Sequence, residues 1–166
     1  MARLMLAMVL VFYAAATAAA QQAVFVVRHA ERADAGAMAA PMMASDPDLS
    51  EAGRARAQSL AAMLKDAGIT AIYTTEYKRT RQTAEPLAKA LGIEATVVPA
   101  REMPSLVEKV KAATGNVLVV GHSNTVGDVV TRLGAGETVK VGDNEYDNLF
   151  IVLRTENPAL VRLRYK

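Results

Sequence analysis

The stretch Ala23-Val24-Phe25-Val26-Val27-Arg28-His29-Ala30-Glu31 decides the fold. Its first five residues are all apolar and rich in β-branched side chains, a run too short for a helix and too uniform for a strand with one wet face. It reads as a strand buried on both sides, the kind that lies in a parallel sheet covered by helices. The run stops at Arg28-His29. In open α/β sheets, ligands bind outside the carboxyl ends of the strands, so this arginine and histidine fall where a ligand would be held.

Downstream, residues 28–49 read as a loop carrying Gly36, Pro41 and Pro47 among alanines and methionines. Its length exceeds the usual connection and marks it as a functional or mobile segment bordering the site. Ser50 then caps a helix, Glu51 suits the positive end of its dipole, and Leu60, Met63 and Leu64 continue an apolar stripe to Gly68. A second buried strand is expected over Ile69 to Tyr73. A polar turn, Thr74 to Tyr77, leads into a helix running to Leu91 before Gly92, in which Pro86 should make a bend or mark the effective start.

The remaining pattern predicts a strand over Ile93 to Val98, a helix over Pro104 to Ala113 and a strand over Asn116 to Val120. Gly121-His122 follows that strand at once. A helix over Thr125 to Leu133 comes next, then two strands, Tyr146 to Leu153 and Ala159 to Leu163, around a turn at Asn157-Pro158. Alternating strands and helices without an internal repeat imply an α/β three-layer sandwich: a mainly parallel central sheet with helices on both faces. Such a sheet brings His29 and His122 to one edge.

Upstream, Arg3, the apolar run Leu4 to Tyr13 and the alanine-rich stretch to Ala20 have the layout of a secretory signal peptide. Cleavage is expected after Ala18-Ala19-Ala20. Residues 1–20 would then be a leader and 21–166 one domain, exported to the periplasm or secreted, without stable membrane insertion. The alternative is an uncleaved N-terminal anchor, although the run is short for a span of about 20 apolar residues.

The chain has 166 residues, 52% of them hydrophobic and 22% charged, a globular balance unlike that of a disordered chain. Loss of Arg3 with the leader would reduce 19 basic residues to 18 against 17 acidic ones. No basic stripe is concentrated enough for nucleic-acid binding. Cysteine is absent, so there is neither a disulfide framework nor a thiolate metal site.

His29 and His122 are the chain's only histidines, and each directly follows a strand beside a small residue. Two satisfied core side chains would not need that placement. The segments Arg28-His29-Ala30-Glu31, Leu49-Ser50-Glu51-Ala52-Gly53, Thr75 to Ala84 and Gly121-His122-Ser123-Asn124 together resemble the histidine phosphatase superfamily, also called phosphoglycerate-mutase-like. The resemblance covers essentially residues 22–153.

The resemblance implies that His29 is the phosphate acceptor, Arg28 and Arg79 bind the phosphate, and His122 is the second pocket histidine. Ser123 and Asn124, next to His122, are further candidate phosphate donors, although Asn124 could instead cap the following helix. Phosphoryl transfer asks the protein mainly for a positioned nucleophile and for donors aimed at the charged oxygens. Arginine's planar fork suits that task. One imidazole nitrogen must be held as a donor so that the other faces the phosphate.

Arg79 is favoured over Arg81, since positions two apart lie on different sides of a helix. Arg32 reads as a solvated loop charge. The family's asparagine beyond the nucleophile is replaced here by Asp34-Ala35-Gly36, so a pocket donor is missing. For the general acid the resemblance points to Glu102, which could equally be a favourable acid at a helix start, with Glu31 and Asp128 as reserves.

No cofactor or metal is called for, because two histidines without matched carboxylate spacing make a poor zinc or iron site. The expected activity is hydrolysis of a small phosphomonoester through a phosphohistidine. A phosphomutase, a non-catalytic phosphate-binding module and a metal-dependent hydrolase are the competing readings. Few charges in the Ala30 to Leu49 loop point away from highly phosphorylated substrates. Sequence leaves the substrate and the oligomeric state open.

Overall fold

The computed structural model describes residues 22–34, 46–136 and 138–166. The leader expected at 1–20 and the middle of the loop after His29 lie outside these residues. Ten elements follow in order: β1 (Gln22–Arg28), α1 (Glu51–Leu64), β2 (Ile69–Thr74), α2 (Lys78–Leu91), β3 (Thr96–Val97), α3 (Met103–Ala112), β4 (Asn116–Gly121), α4 (Ser123–Arg132), β5 (Asn148–Arg154) and β6 (Ala159–Arg164). They form a six-stranded sheet in the order β3-β2-β4-β1-β5-β6 with helices on both faces.

The alternation of side chains along β1 and β4 divides the core in two. Phe25, Val27, Leu118 and Val120 face Leu60 and Leu64 of α1 and Leu87 of α2. Val24, Val26, Val117 and Val119 face Val110 of α3 and Val126, Val129 and Val130 of α4. The two central strands are therefore apolar throughout residues 23–27 and 117–120, as a strand covered on both faces requires.

The sheet is mixed. The pairs β3–β2, β2–β4 and β4–β1 are parallel, whereas β5 runs antiparallel to both β1 and β6. The short turn between β5 and β6 permits only a hairpin. Gly134, just after α4, lies next to Pro158 in that turn, at the edge opposite His29. The chain then crosses back to the carboxyl edge before β5 begins there, and this reverses the strand.

Other boundaries also differ from expectation. The third strand shrinks from the expected Ile93–Val98 to Thr96–Val97, an exposed edge piece with a neighbour on one side only. Pro86 sits inside α2, which starts eight residues earlier at Lys78, and so does not mark the helix start. α4 begins at Ser123, and its cap is His122 rather than Asn124.

Candidate active site

Register brings the two histidines together. Arg28 pairs with Gly121 across the parallel β1–β4 ladder, so the residues that follow leave the sheet side by side, and the His29 amide donates to the Gly121 carbonyl at 2.9 Å. The two imidazole rings meet edge to face with centroids 5.4 Å apart. His29 is 4% exposed and His122 8%.

A carbonyl fixes the His29 ring. Its Nδ1–H donates to the Ala30 oxygen at 2.8 Å, and because a carbonyl can only accept, the neutral ring keeps its lone pair on Nε2. Burial, together with His122, Arg28 and Arg79, holds His29 down at about 3 despite that hydrogen bond, so the ring is neutral at ordinary pH. A neutral, oriented Nε2 is what a nucleophilic imidazole requires.

The loop behind His29 is tied down from two helices. The Ala30 amide donates to Thr83 Oγ1 at 2.9 Å, and that hydroxyl donates to the Arg79 carbonyl in α2. At the start of α1, Ser50 Oγ accepts from the Gly53 amide, and the Ser50 amide donates to the Glu31 carbonyl at 2.9 Å. A Cβ at residue 53 would lie 2.2 Å from that carbonyl oxygen. The close approach explains the glycine in the Leu49–Gly53 segment.

His122 is oriented by hydroxyls. Its Nε2 lies 3.0 Å from Thr75 Oγ1, which lies 2.9 Å from Thr80 Oγ1, itself a donor to the Tyr77 carbonyl at 2.8 Å. Arg79 Nη2 is 3.5 Å from His122 Nδ1. A guanidinium can only donate, so Nδ1 holds the lone pair and Nε2–H donates to Thr75. Burial and the positive charges of Arg79 and Arg28 lower His122 to about 4, against an opposing effect of Glu76.

Both arginines are held on scaffolds that leave donors over. Arg28 Nη1 donates to the carbonyls of Gly142 and Asp143, each at 2.8 Å, and its guanidinium lies 4.1 Å from the Tyr146 ring centroid. Arg79 lies 4.2 Å from the Tyr77 ring centroid, with Asp46 3.8 Å from its Nη1. The Nε of each is buried without a hydrogen-bond partner. Two unpartnered guanidinium donors beside two neutral imidazoles are a donor set suited to an anion.

The other sequence candidates fall elsewhere. Arg81 is exposed on α2, whereas Arg79 reaches His122. Arg32 is not a free solvated charge, since its Nε donates to Asp34 at 2.8 Å. Glu31 is gripped by Arg56, whose Nε and Nη2 lie 2.8 and 2.6 Å from its Oε1. Glu102 is exposed at the start of α3, Asn124 is exposed in the first turn of α4, and Asp128 is exposed further along that helix. Ser123 opens α4 half-buried. The structure thus joins Arg28, His29, Arg79 and His122, and no side-chain hydrogen bond or ion pair links Glu102, Glu31 or Asp128 to that cluster.

Sequence reasoning missed four contributors: Thr75, Thr83, Tyr77 and Tyr146. The first three lie within the segment already singled out around Arg79, where the hydroxyls and the aromatic ring were the available signal. Tyr146 carried none, because it is brought in by the long connection to β5.

The sequence pattern described as "Histidine phosphatase superfamily (branch 1)" matches residues 24–109, just over half of the chain. No curated protein sequence matches. Among solved structures, the mycobacterial glucosyl-3-phosphoglycerate phosphatase in complex with VO3 is 15% identical with a TM-score of 0.64, covering 86% of this chain and 98% of that one. The protein histidine phosphatase SixA in complex with tungstate is 21% identical with a TM-score of 0.64, over 86% and 96%. A candidate α-ribazole-5′-phosphate phosphatase from Escherichia coli K-12 has a TM-score of 0.67 at 11% identity, over 88% and 96%. At these identities the structures share the fold, and the match over residues 24–109 carries the assignment: the chain belongs to the histidine phosphatase superfamily.

Proposed function

We propose that the protein is a phosphatase that hydrolyses a small phosphomonoester through a phosphohistidine on His29. The observation that carries this reading is the Nδ1–H hydrogen bond to the Ala30 carbonyl, which leaves a neutral Nε2 beside the unpartnered donors of Arg28 and Arg79. Members of the superfamily are phosphatases or mutases, and both activities need that nucleophile.

In the first step Nε2 attacks phosphorus, an Nε2–P bond forms, and the P–O bond to the leaving group breaks. The leaving oxygen takes a proton from solvent or from Glu102, which the family resemblance favours as the donor. Arg28 and Arg79 hold the three non-bridging oxygens, where the transition state carries its charge. A bound phosphate dianion opposes the burial that keeps His122 neutral and favours a proton on its Nδ1, which adds a donor. Water then attacks phosphorus in line, the Nε2–P bond breaks, and inorganic phosphate leaves with neutral His29 restored. Ser123 and Asn124, in the first turn of α4, would add polar contacts. The leader-like residues 1–20 support export, which would place this chemistry outside the cytoplasm.

The test is to incubate wild type and His29→Ala with an aryl phosphate, measure phosphate release, and quench for acid-labile phosphate on the protein. Turnover and labelling in wild type alone are expected. Equal release by both proteins would rule out His29 as nucleophile.

A further inference from the structure

Asp46 stands beside the Arg79 guanidinium, and its place there is fixed by a contact with a different element. Tyr77, the N-cap residue of α2, makes no side-chain hydrogen bond to the helix. Asp46 supplies the cap instead. Its Oδ1 accepts from the Lys78 amide at 2.9 Å, an arrangement that the helix dipole favours for a carboxylate. The same Oδ1 lies 3.8 Å from Arg79 Nη1, while Arg79 Nη2 lies 3.5 Å from His122 Nδ1. One tip of the guanidinium thus faces the carboxylate and the other faces the pocket histidine. The Asp46 and Arg79 side chains are only 31% and 13% exposed, so solvent screens their charges incompletely.

We infer that Asp46 makes the site select a phosphate monoester that carries a positive charge, such as an ammonium group, close to its phosphate. The inference rests on the phosphatase reading above. Among the described residues Arg79 is the only cation within ion-pair distance of the Asp46 carboxylate. Neighbouring cations have partners of their own: Arg32 is bound to Asp34, and Lys78 Nζ lies 3.9 Å from Asp48. A phosphate that engages Arg79 takes up its charge and leaves Asp46, still pinned to α2, facing a dianion across the same guanidinium. An ester with a further anion adds to that repulsion. An ester that brings a cation within reach of Asp46 gives the carboxylate a new partner and restores the balance. Asp46 therefore discriminates by the charge on the group that carries the phosphate.

The test compares phosphoethanolamine, propyl phosphate and phosphoglycolate as competitors of aryl phosphate hydrolysis at pH 8. Their carriers are similar in size and are cationic, neutral and anionic. Wild type should bind phosphoethanolamine about tenfold more tightly than phosphoglycolate, with propyl phosphate between them, since one gains and the other loses a partly screened charge contact. Asp46→Asn and Asp46→Ser keep an oxygen for the Lys78 amide and remove the charge, and each should bring that ratio to about one. A wild-type ratio near one overturns the selection. A ratio kept in both variants also overturns it, even if all three esters bind more weakly, because Asp46 would then serve only to orient Arg79. Either result, with the aryl phosphate still hydrolysed by wild type, leaves the phosphatase reading intact. Absence of aryl phosphate hydrolysis by wild type overturns that reading and the selection with it.

Discussion

Burying two neutral histidines side by side makes stability fall between neutral and mildly acidic pH. In the unfolded chain a histidine titrates near 6.5, whereas His29 and His122 are held at about 3 and about 4 in the fold, mainly by burial. Below pH 6.5 the unfolded chain therefore binds protons that the folded protein refuses, and stability decreases as pH falls toward the folded values. At pH 5 each site is displaced about 1.5 pH units from its unfolded pKa and still neutral in the fold, which costs about 2 kcal/mol per histidine and about 4 kcal/mol for the pair relative to pH 8.

Carboxylates act in a different window. Asp34, Glu145 and Asp147 have lowered folded values, and the stability they contribute is lost only below their unfolded values near 4. Urea unfolding at pH 8 and pH 5 thus isolates the imidazoles. His29→Asn keeps a donor where Nδ1 bonds Ala30, and His122→Gln keeps one near Thr75. Each should lose about 2 kcal/mol less than wild type between the two pH values, and the double variant about 4 kcal/mol less. Single variants with the wild-type loss would refute the argument that the site is buried and neutral.

Three further outcomes follow from the geometry. Arg28→Lys and Arg79→Lys should each weaken vanadate binding about tenfold or more, because an ammonium cannot reproduce a planar fork held on carbonyls or an aromatic ring; titration by calorimetry would measure it. Gly53→Ala should destabilise the fold by about 1–3 kcal/mol in urea unfolding, since the added methyl collides with the Glu31 carbonyl; an unchanged midpoint would count against that contact. If residues 1–20 are a cleaved leader, N-terminal sequencing of exported material should begin at Gln21, and Met1 there would contradict cleavage.

The apolar runs at 23–27 and 117–120 made β1 and β4 legible because burial on both faces demands uninterrupted hydrophobicity, and no other local structure gives so short a run that meaning. α1 was equally legible from Ser50 through its stripe, since capping and helical periodicity are local effects. β3 was not: Ile93 and Ala95 are apolar enough for a strand, but only Thr96 and Val97 find a partner at the sheet's edge. The reversal of β5 was hidden for a similar reason. A strand's direction depends on the edge at which the preceding connection releases it, and the path past α4 leaves no mark in the strand itself.

The same division runs through the site. Sequence alone determined that two histidines and a nearby arginine would follow strands, because each chemical residue ends a run whose periodicity is local. Only tertiary structure decided which nitrogen of His29 is free, through the Ala30 carbonyl, and that His122 leans on Thr75. It also decided that Glu31 is spent on Arg56 and that Tyr146 reaches Arg28 and His29 from far along the chain. Tautomers and ion-pair partners are set by distances across the fold, and hydrogen bonds and charges act over a few ångströms whatever the separation along the sequence.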